Sequence, residues 1–404
     1  MSLLARTRPD LATFQPYVSA RKTGLDGRIR LNANESPWAG DGAGFGTNRY
    51  PDPQPAPLRA RLAALYDVPE SQLWIGRGSD EPIDLLLRAF CRAGRDNVVA
   101  TAPAFGMYRI GTQVQGAEYR ALALSAATGF ALDPERLLAL TDADTKIVFV
   151  CSPNNPTGTL YHAALDFLAE RLAGRALLLV DEAYIEFAES VSATALIERH
   201  GNVAVLRTLS KAHALAGARI GTLIAPADIA AFVARIAAPY PLPSPCVALA
   251  LAALQPDALE RTRQRIALLI AERSHVARAL ATFVDVRELW PSSANFVLAR
   301  FGDGDAALER ALAAGIVLRD VSAQPGLEGC LRITIGAPEE NDALLAACSA
   351  PSPPTAPSLG ERAGVRGGGN SDFLSATRGE APPHPALSPI ASDGGEGFQS
   401  GRPQ

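Results

Sequence analysis

Thr208-Leu209-Ser210-Lys211-Ala212-His213, followed by Gly217-Ala218-Arg219-Ile220-Gly221, is the most informative stretch of this chain. It holds one of only three lysines (Lys22, Lys146, Lys211) among 38 basic side chains; all the others are arginines. A chain that uses arginine for plain positive charge, yet keeps a lysine in a loop of small residues, points to chemistry a guanidinium cannot perform. An amine can lose its proton and form a Schiff base with a carbonyl, whereas arginine stays protonated. Ser210 and Arg219 flank that amine with a hydroxyl and a fixed cation, a pair suited to a phosphate. A Schiff-base lysine beside a phosphate clamp suggests pyridoxal phosphate (PLP).

The neighbouring segments read as strands that end in polar turns. Val203–Leu206 leads into the lysine loop and Ile220–Ile224 leaves it. Ala176–Val180 is a continuous apolar run, as buried parallel strands are, and stops abruptly at Asp181-Glu182-Ala183-Tyr184. Ionisable groups at the end of a buried strand are where doubly wound sheets place a ligand. Asp181 is suited to hold a proton on a ring nitrogen, or to cap a helix; Tyr184 is suited to donate to a ring oxygen. Ile147–Val150 ends in the rigid turn Cys151 to Gly158, which presents an asparagine amide. Val98–Ala100 leads to Phe105, which either stacks on a flat ring or fills the core. Leu73–Ile75 runs through Gly76-Arg77-Gly78-Ser79-Asp80-Glu81 into an apolar helix from Pro82 to Phe90. Free N–H groups at such a helix start, with Ser79 near the cap, make an anion site. With helices at about 55–66 and 160–173, this alternation predicts an α/β fold with a mostly parallel sheet.

Beyond a long helical run at about 246–281, strands are expected at 284–290, 295–300, 316–319 and 331–335, with helices at 305–314 and 338–347. That pattern is a smaller α+β domain. In it Arg319 and Arg332 each sit on a strand, placed to fork onto a carboxylate or phosphate or to form a surface ion pair. The expected division is an N-terminal segment (1–30) packing on the small domain, a large domain (31–250), a small domain (251–348) and a tail (349–404). The tail is dense in Pro, Gly and Ser with few large apolar residues, the composition of a disordered segment.

Composition narrows the function classes. A net charge of −4 gives no reason to expect a nucleic-acid partner. Five scattered cysteines, an odd count with no close pair, read as reduced thiols of a cytoplasmic protein. The start of the chain lacks the long apolar run of a signal peptide. The uncharged stretch 236–256 carries Pro239, Pro241, Pro243 and Pro245, which no membrane helix tolerates; a proline-stiffened loop feeding a soluble helix is expected there.

Taken together, eight segments make the chain resemble the fold-type-I PLP-dependent aminotransferases over roughly residues 10–348. They are Leu31–Pro37 (LNANESP), Arg49–Pro53 (RYPDP), Arg77–Glu81 (RGSDE), Cys151–Gly158 (CSPNNPTG), Asp181–Phe187 (DEAYIEF), Arg207–Lys211 (RTLSK), Ala238–Leu242 (APYPL) and Gly329–Gly336 (GCLRITIG). LNANE, RYPDP and APYPL narrow the resemblance to the histidinol-phosphate branch. It implies a large domain with a mostly parallel central sheet and a smaller α+β domain. It implies that Lys211 binds PLP covalently and then moves the proton, that Asp181 pairs with the ring nitrogen, that Asn155 and Tyr184 bond the ring oxygen and that Phe105 stacks on the ring. Ser79, Asp80, Ser210 and Arg219 would hold the cofactor phosphate, with Tyr50 reaching the neighbouring subunit's cofactor in a homodimer. Tyr17, Asn34, Arg319 and Arg332 would surround the substrate phosphate. Phe105 stands where many relatives carry tyrosine, and His213 is read as packing. The implied reaction joins histidinol phosphate and 2-oxoglutarate; the alternatives on the same scaffold are an aromatic amino acid aminotransferase and a threonine-phosphate decarboxylase-like enzyme.

Overall fold

The computed structural model describes residues 2–15, 17, 29–41, 44 and 46–349. Arg21, Lys22 and the tail from 350 onward lie outside the described residues. In chain order the elements are α1 (Ala56–Tyr66), β1 (Leu73–Arg77), α2 (Asp80–Phe90), β2 (Asn97–Ala102), α3 (Met107–Gln115), β3 (Glu118–Ala123), α4 (Pro134–Leu138), β4 (Thr145–Cys151), α5 (His162–Arg171), β5 (Leu177–Asp181), β6 (Val203–Thr208) and β7 (Ile220–Ile224). They continue with α6 (Ala227–Ile236), α7 (Ser244–Ala253), α8 (Pro256–Leu280), β8 (Val286–Trp290), β9 (Phe296–Phe301), α9 (Gly304–Ala313), β10 (Arg319–Asp320), β11 (Cys330–Thr334) and α10 (Pro338–Ser349).

Seven strands form the large sheet in the order β1-β7-β6-β5-β4-β2-β3. All run parallel except β7, which is antiparallel to both neighbours. Successive side chains on a strand point to opposite faces, and the core obeys this residue by residue. Val148, Val150, Leu178, Val180, Val203 and Val205 fill one face, against α1, α5 and α7. Ile147, Phe149, Leu177, Leu179, Ala204 and Leu206 fill the other, against α2, α3 and α6. Covering both faces is what makes these strands apolar throughout. It also leaves their C-terminal ends as the place where polar groups gather: Cys151 of β4 lies in register with Asp181 of β5.

The second sheet is antiparallel, order β10-β11-β9-β8. One face packs on α8, α9 and α10 through Val276, Leu280, Ala307 and Leu344. From the other, Leu298 and Cys330 join the core of the large layer.

Several elements differ from the sequence reading. The helical run 246–281 is two helices, because Gln255 is extended and Pro256 opens α8; proline has no N–H to continue the first helix. The strand expected at 316–319 shrinks to Arg319–Asp320. Ile316 spends its N–H on Ala311 O (2.8 Å) after Gly315 at φ 77°, which closes the end of α9 instead. β3 and α3 went unread, since β3 (Glu-Tyr-Arg-Ala-Leu-Ala) is a largely exposed edge strand with charged residues. The described N-terminal residues pack on the large layer, not on the small domain as expected. Leu3 is buried among the residues of α2 and α6, and Arg8 N–H bonds Ala89 O (2.8 Å). Apolar Leu3 finds the unfilled end of that core, and Ser2 Oγ bonds Asp228.

Candidate active site

The lysine sits in a loop that the antiparallel turn from β6 to β7 makes rigid. Leu209 is fully buried and its N–H donates to Ile220 O (3.1 Å), while Leu215 N–H returns to Leu209 O (3.0 Å). Thr208 Oγ1 accepts from Ser210 N–H at 3.1 Å. Lys211 projects from this frame into a pocket of about 150 Å³, lined with it by Ser79, Asp80, Phe105, Cys151, Asn155, Asp181, Ala183, Tyr184, Thr208, Ser210, Ala216 and Arg219. The pocket is open to solvent, and Lys211 Nζ lies 5.6 Å from the Tyr184 ring centre. The protein around the ammonium, and then the nearby Arg332 charge, hold the Lys211 amine below its usual proton affinity; Asp181 pulls the other way.

Asp181, 3% exposed, ends β5. Its Oδ2 accepts from Tyr108 Oη (2.7 Å) and its Oδ1 from Ala183 N–H (3.1 Å). Burial pushes this carboxyl up, and the Tyr108 bond opposes that push. Tyr184 is buried, which raises its phenol, so it keeps its proton and donates. Across the pocket Arg332 Nη1 donates to Asn155 Oδ1 (2.6 Å), which turns the Asn155 amide nitrogen to Tyr184 Oη, 3.5 Å away.

One end of the pocket is built for an anion. Gly78, at φ 78°, lets the chain turn from β1 into α2, whose first N–H groups face this space without intrahelical partners. A side chain on Gly78 would strike the Arg219 guanidinium, and one on Gly221 would strike the Gly78–Ser79 backbone. Arg219, itself at φ 53°, reaches across to Ser210 Oγ (3.4 Å) and to the Asp80 carboxylate (3.1 Å).

Lys211, Asp181, Tyr184, Ser79, Asp80, Phe105, Asn155, Ser210 and Arg219 thus line one pocket. Arg319 and Arg332 sit directly opposite each other on β10 and β11, and Arg332 touches the pocket through Asn155. Three residues stand elsewhere in this chain. Tyr50 is about half exposed and stacks on Tyr240 (4.5 Å between ring centres, 16° between planes). Tyr17 lines a second cavity of about 380 Å³ with Trp74 and Arg235. Asn34 is exposed, at φ 56°.

The sequence profile of aminotransferase class I and II matches residues 18–348. The chain belongs to this aminotransferase family. It is 50% identical over 355 residues to a histidinol-phosphate aminotransferase of Stenotrophomonas maltophilia, covering 86% of this chain and 97% of that one. It is also 50% identical over 352 residues to the histidinol-phosphate aminotransferase of Xanthomonas euvesicatoria pv. vesicatoria, covering 86% and 96%. Among solved structures it is similar to histidinol-phosphate aminotransferase from Sinorhizobium meliloti in complex with pyridoxal-5'-phosphate, at TM-score 0.67 and 27% identity, covering 75% of this chain and 82% of that chain.

Around the aminotransferase pocket stand supporting residues that sequence reasoning missed. Tyr108 has no role in the sequence reading; it stands near the start of α3, and only the fold brings it to Asp181. Thr208 and Gly221 frame the lysine loop and the anion end. Arg207 looked like a member of a motif only. It is buried and bridges Glu186 (2.8 Å) and Glu182 (3.5 Å) beneath the loop. His213 is buried as expected of packing, in an environment that lowers its proton affinity.

Proposed function

We propose that this chain catalyses PLP-dependent transamination of L-histidinol phosphate with 2-oxoglutarate, giving imidazole-acetol phosphate and L-glutamate, in histidine biosynthesis. The residues present fit the cofactor. The pocket beside Phe105 is lined by the Asp181 carboxylate and the Lys211 amine, and it ends where Gly78 and Gly221 let Arg219 and the Gly78–Ser79 backbone close in, an approach that a Cβ at either glycine would block. When bound, PLP supplies an electrophilic carbonyl and an electron-withdrawing ring that spreads negative charge from the substrate's amine-bearing carbon.

The chain's own groups do the rest. Lys211 would hold the cofactor carbonyl and would take and return the proton at the substrate carbon, work that its lowered proton affinity favours. Asp181 would accept from the protonated ring nitrogen. Asn155 and Tyr184 would bond the ring oxygen, and Phe105 would cover the ring face. Ser210, Arg219 and the N–H groups of Ser79 and Asp80 would take the cofactor phosphate.

The observation that carries the substrate assignment is the facing pair Arg319 and Arg332. Like charges directly opposite on antiparallel strands repel, and among the described residues neither forms an ion pair with a carboxylate. A substrate phosphate relieves that repulsion, and in the second half-reaction an oxo-acid carboxylate does so. Arg332 also fixes Asn155, so occupation of the arginine pair is felt at the cofactor ring. The resemblance also assigns Tyr17 and Asn34 to that phosphate, but in this chain Tyr17 lines the other cavity and Asn34 is exposed, so the arginine pair alone carries the assignment here. Tyr50, outside the Lys211 pocket of its own chain, would reach the cofactor phosphate of a second copy, making a homodimer the working unit. Five free cysteines suit a reducing cytoplasm, and no helix among the described residues is long and apolar enough to cross a membrane. We also propose a division into a large cofactor domain and a small domain meeting near residue 250.

The test is Arg319→Gln and Arg332→Gln assayed on histidinol phosphate and on unphosphorylated histidinol. Loss of a charge-assisted bond should raise KM for the phosphorylated substrate about tenfold or more, with little change for histidinol. Equal effects on both would remove the arginines from phosphate recognition.

A further inference from the structure

We propose that Tyr108 is a positioning residue that sets the charge and the aim of Asp181 toward the cofactor ring nitrogen. The inference rests on the cofactor reading above and deepens it. Tyr108 is 1% exposed, and its hydroxyl donates to Asp181 Oδ2 at 2.7 Å, with the Cys151 thiol the other hydrogen-bonding group beside it. Its ring is pinned from two sides. It stacks on Phe149 (4.7 Å, 12°) and meets Phe105 edge-on (5.7 Å, 85°). Its backbone carbonyl accepts from Thr112 Oγ1 (2.6 Å). One side chain therefore braces both the carboxylate at the base of the slot and the aromatic face beside it.

The need for such a brace follows from burial. A carboxylate taken out of water favours its neutral form unless it is hydrogen-bonded. Facing Asp181 are Tyr108 from α3, Cys151 from β4, Tyr184 beyond β5, Lys211 from its loop and Asp80 at the start of α2. Cys151 and Tyr184 are neutral, since burial raises both, and Asp80 opposes a second negative charge. Lys211 would be committed to the cofactor's carbonyl once that group is bound. Tyr108 is then the side-chain donor that keeps a negative charge on Asp181. Burial raises its phenol well above the ordinary value, so it donates throughout the working range.

The experiment uses the full-length apoenzyme and 4′-deoxypyridoxine 5′-phosphate, which carries the ring nitrogen and phosphate but no carbonyl, so Lys211 chemistry does not enter. Its Kd is followed against pH by intrinsic fluorescence for the unsubstituted chain, for Tyr108→Phe and for 3-fluorotyrosine at position 108. On the acid side the affinity falls when Asp181 takes a proton. Without its donor Asp181 takes that proton at higher pH, so Tyr108→Phe should move the acid limb up by about one pH unit. The more acidic fluorophenol should move it down. Loosened packing alone would weaken binding equally at every pH and leave the limb in place. Should Tyr108→Phe fail to fold, the fluorotyrosine limb decides. Coincident limbs overturn the inference; an analogue that fails to bind the unsubstituted chain overturns the cofactor reading and the inference with it.

Discussion

Lys211 combines two properties that usually exclude each other: water reaches it, yet its ammonium form is disfavoured. Burial of the stem and head by the pocket walls is the larger cause, and Arg332 adds repulsion. A lysine whose folded-state proton affinity is lowered binds fewer protons folded than unfolded between its folded pKa and the free value of 10.5. Its contribution to stability therefore rises with pH through that window. Labelling of the apoenzyme with an amine-selective reagent should show Lys211 half-reactive below pH 10.5, and Arg332→Gln should move that midpoint up. Lys211→Ala should abolish transamination while circular dichroism and melting stay close to those of the unsubstituted chain. Normal turnover by that variant would remove the lysine from the mechanism. This residue was legible from sequence because lysine is scarce here and arginine is not. Tyr108 was not, because a tyrosine in a helix carries no sign of the carboxylate that another strand brings to it.

At the scale of elements, the site depends on two close backbone approaches and one buried charge cluster. β7 runs against β1 with Gly221 opposite Gly76, and a Cβ on Gly221 would meet the carbonyl carbon of Gly78 and the N of Ser79. Gly221→Ala should cost about 1–3 kcal/mol by overpacking and should weaken PLP binding more than that loss of stability explains, since it displaces the phosphate cradle. Equilibrium dialysis against PLP, with urea unfolding of the apoenzyme, separates the two effects. Beneath the lysine loop Arg207 holds Glu182, 1% exposed at its side chain, and Glu186, and its guanidinium lies 4.7 Å from the Tyr66 ring centre. Removing one member of a buried charged group leaves the others unpaired, so Arg207→Met should cost about 3–5 kcal/mol in urea unfolding. The strands that reach the site could be read because each is an apolar run that stops at a polar turn; Leu177–Asp181 is the clearest. β3 could not, because an edge strand alternates and carries charge. The cross-strand pairing of Arg319 with Arg332 was equally hidden, since register is a property of two strands and of the turn chemistry that shortens one of them.

At the scale of the whole molecule, the small antiparallel sheet matters because it delivers Arg332 from β11 to Asn155, 177 positions earlier in the chain. On the proposed reading, substrate recognition and cofactor geometry meet across the two sheets through this bond. Tyr50, half exposed on its own chain, extends the same logic to a second copy. Sedimentation should find a species of twice 42.4 kDa, and Tyr50→Ala should weaken PLP binding while leaving that mass unchanged. The most direct measurement is a spectral titration of the PLP-loaded protein with L-histidinol phosphate in one cuvette and L-phenylalanine in another, with no oxo acid present. Conversion of the cofactor to pyridoxamine phosphate at low histidinol phosphate, and only at much higher phenylalanine, is the expected result. The reverse order would make the chain an aromatic amino acid aminotransferase, and no conversion with either would contradict transamination at this site.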